Sequence, residues 1–550
     1  MSFLFSTICL VNKRFFPVMI QTMLLSISVA LLVWMGGVKS DPLVDTPAGL
    51  IRGLQSVDGE YSMFLGVPYA LVDENNPFGI SSPHPDFNET FNAIDDSAAC
   101  PQLSPINDGG TLQCLNLNIY VPKTATPRNL LPVMVWIHGG GFRHGSGNWR
   151  DYSPEFLIKQ NVVLVFMNYR LGPYGFLCLE DSRVPGNQGL KDQHLALEWV
   201  NRNINAFGGD SSRVTLFGES GGAISVHWHL LANHEKLFHK AILQSGSAYM
   251  PGTTVKPDNT VPFKIAAKMG FVTENLDLAL SFLAKQDPPV LVRNANALVD
   301  EGLIKLRPCV EKQFEGTHRF ITDYAKNLQV DEIQDIPMIF GFNERENLVY
   351  YQSQFLKVPL KDILGFDDEQ TEYVNKFYFG DDGPIETRED EFIDMTSDFN
   401  FNHPIERSMK QFTEAGVKDI YYYVFSYDGG RNMMKIARNV TAPGATHGDE
   451  LGYLFGTDLI TGIPNDEDVH MIEKMTTLWG NFAKYGNPIP ETSQLLPVKW
   501  TKISQNTRPY INIDSALESK NRPFKQRLTF WDLFYEYYDQ KFHLKHLNTC

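Results

Sequence analysis

Charge is scarce in this sequence, and positive charge is scarcer than negative charge. Only 20% of the 550 residues are charged, and 64 acidic residues outnumber 48 lysines and arginines, which gives a net charge of −16. The sequence has no basic stripe, and this argues against a nucleic-acid-binding protein. Because 43% of the residues are hydrophobic, the chain is not of the disordered class either. We therefore expect a globular protein with a large core.

The sequence also lacks internal repeats, low-complexity stretches and Cys-x-x-Cys pairs of the kind that bind zinc. We accordingly expect no metal site and no cofactor. Cys100 and Cys114 are close enough in sequence to close a small disulfide loop, which persists only in an oxidising compartment. Beyond the N-terminal segment, the odd number of cysteines leaves the pairing of Cys178, Cys309 and Cys550 open, as a second bridge or a free thiol.

A hydrophobic run long enough to span a membrane is missing as well. The apolar run at about 23–38 is shorter than the ~20 residues that a transmembrane helix needs. It follows two basic residues and precedes a small-residue cleavage site at 38–40, so residues 1–40 are predicted to be a secretory signal peptide. Translation that starts at Met19 or Met23 is an alternative, and so is an uncleaved signal anchor.

The remaining chain, residues 41–550, is expected to form a single secreted domain. Two glycosylation sequons begin at Asn88 and Asn439 and are typical of a secreted surface. We expect the mature protein to have no membrane span and no nucleic-acid partner. Its partner is expected to be a small molecule.

Short, continuous apolar runs recur along the chain and are rich in β-branched residues, as in strands that are buried on both faces. They lie at 133–137, 162–166, 214–217, 241–243, 336–340, 421–425 and 510–513. Helical patterns such as 192–203 and 473–484 lie between them. This alternation predicts an α/β fold with a large, mostly parallel central sheet flanked by helices. The first hundred residues indicate an antiparallel edge, and 251–335 and 345–415 indicate helical insertions that form a pocket wall.

The segment Gly218-Glu219-Ser220-Gly221-Gly222 lies between a predicted strand and a predicted helix. In that context G-x-S-x-G is a nucleophile elbow, a sharp turn that exposes a reactive serine. The glycines leave room for the turn, and the helix N-terminus favours developing negative charge. A five-residue pattern is weak by itself, and an ordinary Gly/Ser turn is the alternative.

A serine nucleophile needs backbone donors for the oxyanion, a base, and an acid that orients the base. The donors are predicted in residues 138–142 (HGGGF), a glycine loop that follows an apolar strand. Glycine is required there because a Cβ would keep the backbone away from the substrate oxygen. The loop precedes the elbow in the chain, as this architecture requires.

The base should follow the acid in the chain. His447 lies in a polar loop and is the candidate base among fourteen histidines, with His227 and His229 as competitors. Two glutamates that follow the predicted strand at 336–340, Glu344 and Glu346, compete for the role of the acid. From the residues alone, the choice of the base among the histidines and the choice of the acid between the two glutamates both stay open.

Several short blocks of the sequence form a recognisable series. They are FLGVPYA (64–70), CLNLNIYVP (114–122), HGGGF (138–142), NYRLG (168–172), NQGLKDQ (187–193), NAFGGD (205–210), ES (219–220) and HGDE (447–450). In this order they resemble the type-B carboxylesterase/cholinesterase family of α/β-hydrolases, and the resemblance covers nearly all of 42–540. The tail FWDLFY (530–535) is similar to that of moth and butterfly esterases. The resemblance implies an α/β-hydrolase fold and the hydrolysis of small-molecule carboxylic esters without a cofactor.

The resemblance also implies a role for each candidate residue. Ser220 matches the nucleophile and His447 the base. Glu346 matches the acid, because the family's acid lies five residues beyond the glycine that ends the strand, here Gly341, and Glu344 is the second choice. The residues that match the oxyanion donors are Gly140, Gly141 and Gly221, and those that match the family's first disulfide are Cys100 and Cys114.

Departures from the family pattern narrow the expected function. The loop between the first two mature cysteines has no tryptophan, whereas cholinesterases present one to a quaternary ammonium, so choline esters are disfavoured. The family's juvenile-hormone esterases usually carry glutamine before the nucleophile, and here the residue is Glu219. We expect a secreted carboxylesterase that acts through an acyl-serine intermediate. A dedicated hormone or pheromone esterase is the alternative, and a catalytically inactive adhesion-type protein is a more remote one.

Overall fold

Strands alternate with helices in the computed structural model, which describes residues 41–104, 109–330, 332–351, 358–381 and 387–547. The predicted signal peptide at 1–40 lies outside these residues, and the elements below belong to one compact unit that begins at Leu43. The strands are β1 (Leu43–Thr46), β2 (Gly49–Arg52), β3 (Leu54–Gln55), β4 (Tyr61–Pro68), β5 (Ala70–Leu71), β6 (Ser82–Pro83), β7 (Phe91–Asn92), β8 (Asn116–Pro122), β9 (Leu131–Ile137), β10 (Val163–Met167), β11 (Gly209–Glu219), β12 (Lys240–Gln244), β13 (Met338–Asn343), β14 (Ile420–Phe425), β15 (Pro509–Ile513) and β16 (Leu517–Asn521).

The helices lie between and after these strands. They are α1 (Gly172–Phe176), α2 (Gln188–Asn203), α3 (Gly221–Leu231), α4 (Val261–Lys268), α5 (Leu276–Ala284), α6 (Pro288–Asp300), α7 (Leu360–Leu364), α8 (Asp368–Tyr378), α9 (Glu389–Ser397), α10 (His403–Glu414), α11 (Met433–Arg438), α12 (Asp466–Tyr485) and α13 (Lys525–Leu547). The helices α4 to α6 form the first predicted insertion, and α7 to α10 belong to the second.

An 11-stranded sheet forms the centre of the fold, in the order β16-β15-β14-β13-β12-β11-β9-β10-β8-β4-β3. All neighbouring strands from β10 to β15 are parallel. The strands β8, β4 and β3 on one side and β16 on the other pair antiparallel. The predicted fold class, a mostly parallel sheet flanked by helices, is therefore confirmed.

The central strands are apolar throughout because both faces of the sheet are covered. In β9, Val133, Val135 and Ile137 pack into one hydrophobic cluster, and the alternate residues Met134 and Trp136 pack into the cluster on the other face. Successive side chains of a strand point to opposite faces, so one continuous apolar run supplies both cores.

A buried ion pair connects the antiparallel edge region to the parallel strands. Arg170 follows β10, and its Nε and Nη2 each donate to Asp192 of α2 over 2.8 Å. Both side chains are almost completely buried. The remaining nitrogen, Nη1, donates to the carbonyls of Pro77 and Gly79 at 3.1 and 2.6 Å. All three guanidinium nitrogens of Arg170 thus have acceptors. Loss of one partner from such a buried pair typically lowers the free energy of unfolding by about 3–5 kcal/mol.

The C-terminal helix α13 packs against the second insertion. Trp531 is fully buried there, and its Nε1 donates to the hydroxyl of Tyr378 over 2.7 Å. The same hydroxyl donates to Asp398 Oδ2, also over 2.7 Å. The aromatic segment 530–535 therefore packs with the second insertion in one hydrophobic cluster.

Two disulfides cross-link the described residues. Cys100–Cys114 has a Cα–Cα distance of 4.9 Å, and Cys178–Cys309 joins positions 131 residues apart with a Cα–Cα distance of 6.6 Å. The second bridge pairs two of the cysteines whose partners the sequence left open, and Cys550 lies outside the described residues. In the same part of the chain, no helix combines the length and the apolar character needed to cross a membrane.

Candidate active site

Ser220 lies at the junction of β11 and α3, in a strained backbone conformation with φ 55° and ψ −120°. Its N–H donates to Gln244 O of the neighbouring strand over 2.9 Å, and this bond fixes the turn. A Cβ on Gly222 would lie 2.0 Å from Ile137 O, and one on Gly218 would lie 2.6 Å from the Gly222 carbonyl carbon. Both glycines are therefore required by close backbone contact, and the serine is presented between a strand end and a helix N-terminus.

His447 and Glu346 meet at the same end of the sheet. His447 Nδ1 lies 2.7 Å from Glu346 Oε2, and its backbone N–H donates to Glu346 O over 3.2 Å. Glu346 is fully buried, and its other oxygen, Oε1, accepts from the Asn343 N–H over 2.7 Å. The carboxylate is thus held rigidly against one nitrogen of the imidazole, which leaves Nε2 to face the elbow.

The competing candidates have other partners. Within the described residues Glu344 makes no ion pair with a histidine, although it lies in the same loop. His227 Nδ1 accepts from the Ala248 N–H over 3.1 Å, and burial lowers the pKa of His227 to about 3. His229 Nε2 lies 3.0 Å from Gln193 Oε1. The structure therefore brings together the glutamate and the histidine that the resemblance implies.

Glu219 contacts the other side of the imidazole. In the sequence analysis this residue served only as a difference from the glutamine of juvenile-hormone esterases. Its Oε1 lies 3.1 Å from His447 Nε2, and the side chains of both residues are buried. A Cβ placed on Gly139 would lie 2.5 Å from Glu219 Oε2 and 3.1 Å from the Ser220 Cβ. The acid before the nucleophile, the serine and the glycine loop therefore converge. An acidic residue directly before the candidate serine was the one signal that could have indicated this contact.

Glu219 and His447 compete for a proton. Burial raises the pKa of Glu219 to about 8, with the attraction of His447 opposing the shift and Glu450 and Glu346 adding to it. Burial alone would lower the pKa of His447, but Tyr350, Glu219 and Glu346 together raise it well above its ordinary value. Because the two groups lie in direct contact and each affects the pKa of the other, their titrations are coupled.

A second carboxylate network supports the loop that carries His447. Glu450 Oε1 accepts from Gln244 Nε2 over 2.9 Å, and its Oε2 accepts from Asn343 Nδ2 over 2.6 Å. The same Asn343 nitrogen lies 2.6 Å from Thr446 O. The loop is thus fastened to the ends of β12 and β13 on both sides of the histidine.

The glycine loop lies opposite the first residue of α3. A Cβ on Gly221 would lie 3.3 Å from Gly141 N and 3.4 Å from Phe142 N. Gly140 has φ 97°, and a Cβ there would lie 1.9 Å from His144 O, so only glycine fits. Gly141 also has a positive φ, of 60°. The backbone N–H groups of the loop and of α3 therefore border one small space next to Ser220.

The carboxylesterase family model matches residues 40–531 of this chain. The chain belongs to the carboxylesterase family. This membership, together with relatives that are esterases, makes it a serine carboxylic ester hydrolase whose substrates are small-molecule esters.

Insect esterases are among its relatives. The chain is 32% identical over 516 residues to juvenile hormone esterase of Tribolium castaneum, covering 84% of this chain and 86% of the relative. It is 30% identical over 538 residues to venom carboxylesterase-6 of Apis mellifera, covering 90% and 94%. The crystal structure of juvenile hormone esterase from Manduca sexta, with OTFP covalently attached, superposes with a TM-score of 0.78 at 28% identity, covering 90% of this chain and 100% of that one.

The protonation of Glu219 predicts how stability depends on pH. Because the pKa of this carboxyl is raised to about 8, the folded enzyme keeps the proton between pH 4.5 and 8 while the unfolded chain has lost it. The free energy of unfolding therefore falls as pH rises through that window. Glutamine cannot ionise, so the stability of Glu219→Gln relative to the wild type is expected to be higher at pH 8 than at pH 5.

Thermal unfolding at the two pH values measures this difference, with Glu491→Gln at an exposed position as the control. If the stability of Glu219→Gln relative to the wild type is the same at both pH values, or higher at pH 5, the raised pKa of Glu219 is contradicted.

Proposed function

We propose that the enzyme cleaves carboxylic esters through an acyl-serine intermediate, with Ser220 as nucleophile, His447 as general base and Glu346 as the orienting acid. The observation that carries this proposal is the 2.7 Å contact between His447 Nδ1 and Glu346 Oε2, at the end of the sheet where the elbow presents Ser220. The order serine, acid, histidine along the chain is the order of this fold class.

The reaction begins when Ser220 Oγ attacks the ester carbonyl carbon and its proton passes to His447 Nε2. In the resting geometry this nitrogen faces Glu219, the residue before the serine. Proton transfer from the serine therefore requires His447 Nε2 to exchange its contact with Glu219 for one with the Ser220 hydroxyl. The imidazolium then protonates the leaving alcohol. Water next attacks the acyl-serine while His447 takes and returns its proton, so that the carboxylic acid is released and Ser220 is restored.

Two features of the site stabilise the charges that develop. The N–H groups of Gly140, Gly141 and Gly221 donate to the oxyanion, whose negative charge also lies at the N-terminus of α3. The Glu346 carboxylate accepts a backbone N–H and is held against Nδ1, so it is placed to pair with the imidazolium. Neither role requires a bound cofactor.

A second candidate function is the hydrolysis of juvenile hormone. The likeness to juvenile hormone esterases in sequence and in overall structure favours it. Glu219 counts against it, because the glutamine typical of those enzymes is missing here. A kcat/KM for juvenile hormone far above that for short-chain aryl esters would favour this function over a general carboxylesterase.

Removal of the nucleophile or of the base tests the mechanism. Ser220→Ala and His447→Ala are each expected to lower kcat by about 10⁴-fold or more, with the fold intact, because they act as one unit. Hydrolysis of a chromogenic ester and circular dichroism measure both properties. Near-normal turnover by folded Ser220→Ala protein would rule out the proposed nucleophile.

The choice of acid is tested by a matched pair of variants. Glu346→Gln should keep the loop folded but lose the charge that stabilises the imidazolium, so we expect a drop in kcat of about 10²–10⁴-fold. Glu344→Gln, two residues away in the same loop, should leave kcat within about threefold, since its carboxylate does not touch the histidine. The opposite ranking would show that Glu344 is the acid.

We also infer that the protein is secreted and glycosylated. The two disulfides require an oxidising compartment, and Asn88 and Asn439 are both exposed and available to the glycosylation machinery. Intact-mass and peptide mapping of protein from the medium of expressing insect cells should find an N-terminus near Asp41 and glycan on at least one of these asparagines. An unprocessed N-terminus on protein retained in the cells would contradict the inference.

A further inference from the structure

Three histidines outside the catalytic site meet at the far end of the helix that begins at the elbow. His194 lies on α2, His229 on the last turn of α3, and His234 in the loop that follows α3. One ring nitrogen of each lies within 4.8 Å of the others. The rings of His194 and His234 are close, with centroids 4.2 Å apart, and Phe320 covers the side near His229 and His234, at 5.1 and 4.9 Å. None of these side chains has a role in the proposed hydrolysis.

A chain of hydrogen bonds sets the tautomer of His229. The hydroxyl of Ser225 donates to Gly221 O over 2.9 Å and accepts from Gln193 Nε2 over 3.1 Å. The amide oxygen of Gln193 therefore faces His229 Nε2, at 3.0 Å, and that nitrogen must be the donor. The lone pair of His229 is consequently on Nδ1, which is fully buried and has no hydrogen-bond partner within the described residues.

This arrangement is the one in which proteins prepare histidines for metals. A metal-bound histidine almost always donates its second N–H to a fixed acceptor, which orients the ring and leaves the other nitrogen for the ion. His194 Nδ1 is likewise buried and, among the described residues, without a partner. Two buried ring nitrogens without partners are unfavourable in an apolar interior, and a bound cation would satisfy both.

The surroundings of the three imidazoles lower their pKa values. Burial is the main cause, and the neighbouring histidines and Lys236 add to it, lowering the pKa of His194 to about 4 and that of His234 to about 2. The pKa of His229 is lowered well below its ordinary value for the same reasons.

The geometry fits a small ion with tetrahedral preference. Zinc–nitrogen bonds of about 2.0–2.1 Å place ligand nitrogens roughly 3.3 Å apart. The present spacing of up to 4.8 Å must therefore shorten, and His194 and His234 are partly exposed and able to rotate, whereas His229 is fixed. Glu198 Oε1 lies 3.5 Å from His194 Nε2 and is available to orient this ligand or to take the fourth position.

One positive charge opposes a cation at this place. Lys236 lies close enough to lower the pKa of all three histidines. The Lys236 Nζ donates to Ala232 O. The Glu198 side chain, whose Oε1 lies 3.5 Å from His194 Nε2, supplies a carboxylate at the same place.

We propose that His194, His229 and His234 form a binding site for a divalent transition-metal ion of the zinc class, which clamps the end of α3 to α2. Neutral imidazole is the ligand that suits zinc, copper and nickel, rather than magnesium or calcium. The ion would stabilise the helix that begins at the elbow, and the bonds through Gln193 and Ser225 connect it to the Gly221 carbonyl.

The test uses the full secreted protein after treatment with a chelator and dialysis. Calorimetric titration with Zn²⁺, and titration with Co²⁺ followed by its ligand-field absorption, are expected to show one ion per chain in a nitrogen-rich tetrahedral site. Zn²⁺ should also raise the unfolding temperature, because it binds the folded state alone. His194→Ala and His234→Ala lie on different elements and should each weaken Zn²⁺ binding by at least about 100-fold.

His470→Ala, which removes an exposed histidine of α12, is the matched control and should bind Zn²⁺ as the wild type does. Gln193→Leu, which removes the acceptor that orients His229, should weaken binding by about 10–100-fold. The proposal is overturned if the dialysed wild type binds no stoichiometric Zn²⁺ or Co²⁺. It is also overturned if the folded His194→Ala or His234→Ala protein binds as tightly as the control.

Discussion

One close approach between backbones organises the catalytic end of the molecule. The end of β9 lies so near the start of α3 that a Cβ on Gly222 would collide with Ile137 O. Ser220 is consequently confined to a positive φ, a conformation that costs about 1–3 kcal/mol and persists only where the surroundings determine it. The hydrogen bond from its N–H to Gln244 ties the turn to β12. The same crowding places the amides of the glycine loop opposite Gly221, so nucleophile and oxyanion donors are set by one constraint.

The same compact arrangement buries several carboxylates around one histidine, and their charges must be compensated there. Glu346 and Glu450 are each satisfied, the first by the Asn343 N–H and His447, the second by two side-chain amides. Glu219 has His447 as its close partner, and Glu450 and Glu346 are its like-charged neighbours. Since burying a carboxylate with little support is costly, burial raises the pKa of Glu219, the least supported of the three, to about 8.

Sequence reasoning succeeded where the physical cause is local. Continuous β-branched runs predict the central strands, and the glycines around Ser220 predict a turn, because both depend on neighbours along the chain. The pairing of Cys178 with Cys309 joins positions 131 residues apart and depends on the tertiary fold. The contact between Glu219 and His447 was missed for the same reason. His229 is a second example. From the sequence it was a candidate for the catalytic base, and only the tertiary fold shows that its neighbours are other histidines.

The helix α3 connects these observations, because it carries chemistry at both ends. All of its residues are buried, so it has no solvent-exposed face along which it can shift freely. Gly221 borders the oxyanion space at its first turn, and His229 lies about 12 Å farther along the axis. Gln193 of α2 bonds to both Ser225 and His229, and Ser225 bonds back to Gly221. Because the neighbours of this helix are close-packed and transmit strain, a change in packing around His229 is expected to reach the elbow through the same helix.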